Sequence, residues 1–130
     1  MKIGFATTDG INVDEHFGRA GKFVIYDLTP ERYNYLETIK FADGLDISII
    51  ETRGMGQEHE DRVQSKINML AGCKIVYFTE IGGPAAAMLV KKGIMPVKVK
   101  ETVTIGESLN RLLETAKASP PPWLKKAMNQ

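Results

Sequence analysis

Residues 14–23 read Asp-Glu-His-Phe-Gly-Arg-Ala-Gly-Lys-Phe and hold one of the chain's two histidines between carboxylates and an aromatic–glycine pair. A neutral imidazole can occupy an open coordination position on a metal centre. One imidazole does not build a metal site alone, so His16 would serve a preformed cluster. Beside it, Phe17 could wall one side and Gly18 allows close backbone approach. Arg19 and Lys22 could offset negative charge on a ligand. The plainer reading makes His16 a loop residue bonded to Asp14 or to a backbone carbonyl, and position alone leaves both open.

Two further features carry weaker signals. His59, in Gln-Glu-His-Glu-Asp, is a second candidate metal ligand, although acidic residues near a helix start most simply complement the helix dipole. Gly82-Gly83-Pro84 can open a helix whose unpaired N–H groups favour an anion, or can merely turn a strand into a helix. It is not a P-loop, because the Gly-Lys-Ser/Thr ending is absent. Gly82 and Gly83 are the candidate amide donors. Cys73 is the only cysteine, which excludes an internal disulfide and a four-thiolate cluster within one chain.

Three strands are predicted first: Lys2–Thr8, the apolar run Lys22–Leu28, and the alternating Arg32–Phe41. The short turn at Thr29-Pro30-Glu31 makes the second and third antiparallel. Asp46–Glu51 is ambiguous, and Gly54-Met55-Gly56 marks a break. A helix over Gln57–Ala71 follows, with Gly72 as its stop. Next come a strand over Lys74–Thr79 and a helix from the diglycine to Gly93, with Ala86, Leu89 and Val90 on its buried face. A strand over Ile94–Val99 leads to a capping box at Thr104–Glu107, and then to a helix with an Ile105, Leu109, Leu112, Leu113, Ala116 stripe.

The order βββαβαβα, with right-handed crossovers, predicts one mixed five-stranded sheet in the order 3-2-1-4-5. The domain spans 1–118, followed by a proline-rich tail over 119–130. Its Ser119-Pro-Pro-Pro-Trp-Leu124 segment is expected to be extended, because proline does not continue a helix. In this topology the Asp9–Gly21 loop, the 54–59 segment and the Glu80–Pro84 turn meet at the carboxyl ends of parallel strands, where crevices form. Cys73 falls at the opposite edge.

The 130 residues are 43% hydrophobic and 25% charged with a net charge of +1, the profile of a globular domain without the basic excess of a nucleic-acid binder. No signal peptide and no apolar run of membrane length is visible, so a cytoplasmic location is expected, without membrane or nucleic-acid partners. The element order is also that of ribonuclease H-like nucleases. Asp9 and Glu80 lie near the right edge for such an enzyme. A carboxylate on the first strand is missing, however, and no nucleophile–base pair is visible.

Three stretches resemble the NifX/NafY/NifB C-terminal family, the dinitrogenase iron–molybdenum cofactor biosynthesis domains. They are Asp14-Glu-His-Phe-Gly18 with Phe23-Val-Ile-Tyr-Asp27; Leu70-Ala-Gly-Cys73 through Ile81-Gly-Gly-Pro-Ala85; and Gly93-Ile-Met-Pro96. The tail Pro120–Lys125 is similar to that of the NifX branch. The resemblance implies a ribonuclease H-like α/β fold without nuclease activity, and the chain is expected not to be an enzyme. It implies a carrier of an iron–sulfur precursor of the iron–molybdenum cofactor, such as the NifB product, passed between assembly proteins including NifB and the NifEN scaffold. His16 matches the family histidine implicated in cofactor binding. Phe17, Gly18, Arg19, Lys22, Gly82 and Gly83 would surround the cluster. A regulatory or scaffold module that carries no cluster is the alternative, and a metal-dependent nuclease is a third.

Overall fold

A computed structural model describes residues 1–41 and 64–128. Five strands form the main sheet: β1 (Lys2–Ala6), β3 (Lys22–Leu28), β4 (Tyr33–Lys40), β5 (Cys73–Phe78) and β6 (Met95–Lys98). Their order across the sheet is β4-β3-β1-β5-β6. Pairings β1–β3 and β3–β4 are antiparallel, whereas β1–β5 and β5–β6 are parallel. This is the predicted arrangement of the five long strands. The numbering shifts because two two-residue strands, β2 (Asn12–Val13) and β7 (Val103–Thr104), form a small separate ladder that the sequence did not disclose. The start of the predicted 57–71 helix, the 54–56 break and the 46–51 segment lie outside the described residues.

Each face of the sheet carries its own core. On one face, Phe17, Phe23, Val76 and Phe78 pack with Ile67 of helix α1 (described over 64–69), with Leu70 in the turn that follows it, and with Ala85 and Leu89 of α2 (Gly83–Lys91). On the other, Phe5, Val24, Leu28 and Ile75 pack with Ile105 and Leu109 of α3 (Ile105–Ala118). Strand alternation explains the division, since successive side chains of β5 point to opposite faces. Burial on both faces accounts for the near-continuous apolar runs of β1 and β3. Thr104 caps α3 by accepting the Glu107 N–H at 3.0 Å, as its sequence signature predicts.

Two local expectations are corrected. Val90 is 62% exposed, so the buried stripe of α2 is Ala85 and Leu89 with Met88 packed beside it. The Ser119–Leu124 segment is not extended throughout: Pro122–Met128 forms helix α4. Proline is well suited to a first helical position, where its missing N–H needs no partner. The Pro121 carbonyl accepts the N–H groups of both Leu124 and Lys125 at 3.0 Å, and Leu124 is fully buried. The gain from burying Leu124 fixes the tail against the body.

Candidate functional site

The loop between β1 and β3 is built by carboxylates that satisfy backbone donors. Asp9 accepts the N–H groups of Ile11 and Asn12, both at 2.8 Å, as an Asx-type turn. Those two amides, with the Asn12 and Thr7 side chains, hold the Asp9 carboxyl far below the usual carboxylate range. Asp14 accepts the Thr8 N–H at 2.8 Å and the Thr8 hydroxyl at 2.5 Å. Both Asp14 oxygens therefore serve Thr8, and the reading of His16 as a simple partner of Asp14 is not what the loop adopts. Asp9 is likewise committed to its turn. Among the described residues, no group of three His, Cys, Asp or Glu side chains is arranged to hold a metal ion.

Beyond Asp14 the chain is stitched to the end of β5. The Thr79 N–H donates to the Glu15 carbonyl at 3.0 Å and the Phe17 N–H to the Glu80 carbonyl at 2.8 Å, so His16 bridges Glu80 in parallel register. The His-Phe-Gly turn and the segment leading to Gly82 thus share the edge where β1 and β5 finish. The turn closes on itself, with the His16 carbonyl accepting from Arg19 and Ala20. The half-buried His16 ring accepts the Gly18 N–H at Nδ1, at 3.1 Å. A neutral imidazole with Nδ1 so engaged carries its proton on Nε2.

Phe17 takes a different role from the one its position suggested. Its ring is fully buried, 5.5 Å from the Phe23 ring and 6.0 Å from that of Phe78. It does not wall an open crevice but anchors the loop, because an aromatic ring beside two core rings gains more by burial than by exposure. Beneath the loop lies Lys66 of α1, only 5% exposed. Its ammonium donates to the carbonyls of Ala20 at 2.9 Å, Phe17 at 3.1 Å and Gly18 at 3.5 Å, and sits 4.7 Å from the centre of the Phe41 ring. Sequence reasoning missed this residue. The available signal was its place four residues before Leu70 and next to Ile67, on the apolar stripe of its helix.

The remaining candidates are distributed around this turn. Gly18 is buried and Arg19 exposed. Lys22 opens β3 beside a hollow of about 330 Å³ that is also lined by Thr8, Glu15 and Lys40. Gly82 is the N-cap of α2 without a side-chain cap, Gly83 is its first residue, and no acidic residue occupies the first turn. Glu80, two residues earlier, pairs with Lys98 at 3.0 Å. The Lys98 ammonium holds the Glu80 carboxyl below its ordinary range, with smaller help from the Ile81 amide and from His16. His59 lies outside the described residues.

Cys73 pairs with Lys2 at the opposite edge of the sheet, is 4% exposed, and has its thiol pushed up to about 11 by burial. Because the thiolate is the reactive form, alkylation of the native protein near pH 8 is expected to be about 100-fold slower or more than after unfolding. Mass spectrometry of iodoacetamide-treated samples measures this. Equal rates would place the thiol at the surface.

Comparison with known proteins gives the family. The sequence profile described as dinitrogenase iron–molybdenum cofactor matches residues 1–115. The chain is similar to Protein NifX of Herbaspirillum seropedicae, with 37% identity over all of this chain and 83% of that protein. It is similar to Protein NifX of Sinorhizobium fredii, with 35% identity over all of this chain and 79% of that protein. Protein NifY of Azotobacter vinelandii is 34% identical over 98% of this chain and 48% of its own length. A crystal structure of PH0822 shares the fold, with a TM-score of 0.59 and 21% identity over 95% of this chain and 98% of that one. The profile match and the full-length NifX similarity, on a chain whose His-Phe-Gly turn is tied to the strand before its diglycine helix, lead to one assignment: the chain belongs to the dinitrogenase iron–molybdenum cofactor family.

Proposed function

We propose that this protein acts in nitrogenase cofactor biosynthesis as a carrier or transient store for an iron–sulfur precursor of the iron–molybdenum cofactor. It receives the cluster from one assembly protein and hands it to another, with NifB and the NifEN scaffold as the donor and acceptor, and it works in the cytoplasm without catalysing a reaction. The observation that carries the reading is the half-buried His16 on a turn fixed to the end of β5. Arg19, Lys22 and the amides of Gly82 and Gly83 at the uncapped start of α2 supply positive potential for the cluster. A preformed cluster brings its own sulfides, so a chain with one buried cysteine can still hold it.

The state of His16 bears on release. Nε2 becomes a ligand only if its proton moves, which gives up the Gly18 N–H···Nδ1 bond. That lost hydrogen bond costs about 1 kcal/mol, so cluster uptake competes with the loop's own closure. Such competition weakens holding, which suits a cargo that must be passed on. Anaerobic incubation of wild type and His16→Ala with a cluster precursor, followed by absorbance and iron analysis, tests the proposal. Uptake by the variant is expected to fall about tenfold or more, the scale of one lost ligand contact, with melting lowered by only a few degrees for the lost Gly18 N–H bond. Equal uptake by the two proteins removes His16 from the site. An iron-free wild type removes the carrier role in favour of a scaffold that makes protein contacts only.

A further inference from the structure

On the other face of the sheet, between α3 and the end of β6, a cavity of about 530 Å³ opens. Its floor is Tyr77 of β5 and Val97 of β6, and Leu112 of α3 forms part of its wall. These side chains sit at the margin of the second core and are only partly covered. The volume lies within the range of small-molecule sites.

Polar groups line the rim without satisfying one another. Arg111 and Lys100 line the cavity, and among the described residues neither has a carboxylate within ion-pair distance. The Tyr77 ring is held by stacking on Phe5, with centroids 4.9 Å apart. Its hydroxyl has no hydrogen-bond partner among the described residues. Burial pushes that hydroxyl up to about 12, so it remains a donor at neutral pH. The Tyr77 hydroxyl faces the cavity with its donor available to a ligand. Glu101 is the one acidic residue of the lining, and the third cation, Lys98, is already paired with Glu80.

We propose that this groove binds a small organic anion: a carboxylate, sulfonate or phosphate carried on an apolar or aromatic body. The anionic group is held by the guanidinium of Arg111 and the ammonium of Lys100, and it accepts the Tyr77 hydroxyl proton. The apolar body lies on Val97 and Leu112. Arginine suits the role because its planar donors meet an oxyanion in pairs. The Lys98–Glu80 ion pair separates this groove from the His16 turn, so the two sites are neighbours at one sheet edge but do not share residues.

Anilinonaphthalene sulfonate has this chemistry and reports its own burial by fluorescence. Titration of the full chain is expected to give saturable one-to-one binding, with backbone NMR shifts confined to the neighbourhood of Tyr77 and to 97–103 and 108–115. Arg111→Gln should weaken it about tenfold, the loss of one charge-assisted contact, and Tyr77→Phe about threefold. Arg111 is exposed and Tyr77→Phe keeps the stacked ring, so neither variant endangers the fold. His16→Ala should bind as wild type, which keeps this site independent of the cluster proposal. Three results overturn the inference: Arg111→Gln binding like wild type, shifts centred elsewhere, or neutral anilinonaphthalene binding as tightly as the sulfonate.

Discussion

Phe17→Ala is expected to lower the melting temperature by about 10–20 °C, corresponding to about 3–5 kcal/mol for an aromatic ring removed from a closed core. The Phe17 side chain is fully buried and touches the Phe23 and Phe78 rings, so its loss leaves a cavity between two strands that are already fixed by their ladders. Collapse around that cavity is restricted, because β3 and β5 are interior strands of the sheet. The same ring is the apolar attachment of the turn that carries His16. The variant should therefore lose cluster uptake together with much of its stability, whereas His16→Ala should lose uptake with little stability. Calorimetry beside the iron assay separates the two outcomes. A Phe17→Ala protein that melts within a few degrees of wild type would show that the ring does not hold the turn.

This contrast marks where the sequence was informative. The five long strands were legible because their apolar residues alternate or run continuously, and because Asp9-Gly10 and Thr29-Pro30 bound them. Their order followed from a tight hairpin and from crossover handedness, which need no side-chain detail. The meeting of His16 with the end of β5 followed from the same topology. What stayed hidden depends on long-range partners. The β2–β7 ladder joins residues some ninety positions apart through two pairs only, too short for any periodic signal. Proline before Trp123 reads as a helix breaker, although the same residue type starts helices when an apolar neighbour such as Leu124 has a surface to cover. Phe17 looked like a loop residue because sequence adjacency to His16 and Gly18 says nothing of direction, and only the packed sheet turns its ring inward. Lys66 was hidden by its charge, which reads as solvent-facing even on an apolar stripe.

Lys66→Met is the second substitution with a large expected effect, and opposing contributions decide its size. Removing a buried ammonium relieves a desolvation cost, and replacing buried charges by apolar side chains is often neutral. Here the acceptors remain. The carbonyls of Phe17, Gly18 and Ala20 point at the Lys66 ammonium, and each loses a donor in the variant. A buried acceptor left unsatisfied costs about 1–3 kcal/mol. The contact with the Phe41 face, 4.7 Å from the ring centre, is lost as well. The acceptors outnumber the single relieved charge, so Lys66→Met should destabilise by about 2–4 kcal/mol in urea. Stability alone would not distinguish a core defect from a loosened turn. The telling readout is local: the amides of 17–20 should exchange with solvent faster than the global loss of stability explains, while those of β6 follow it. His16 cluster uptake should fall in step with that local opening, although no atom of Lys66 needs to touch the cargo. Uniform exchange across the sheet, or uptake retained despite an opened turn, would show that the lysine merely fills the core and does not position the histidine.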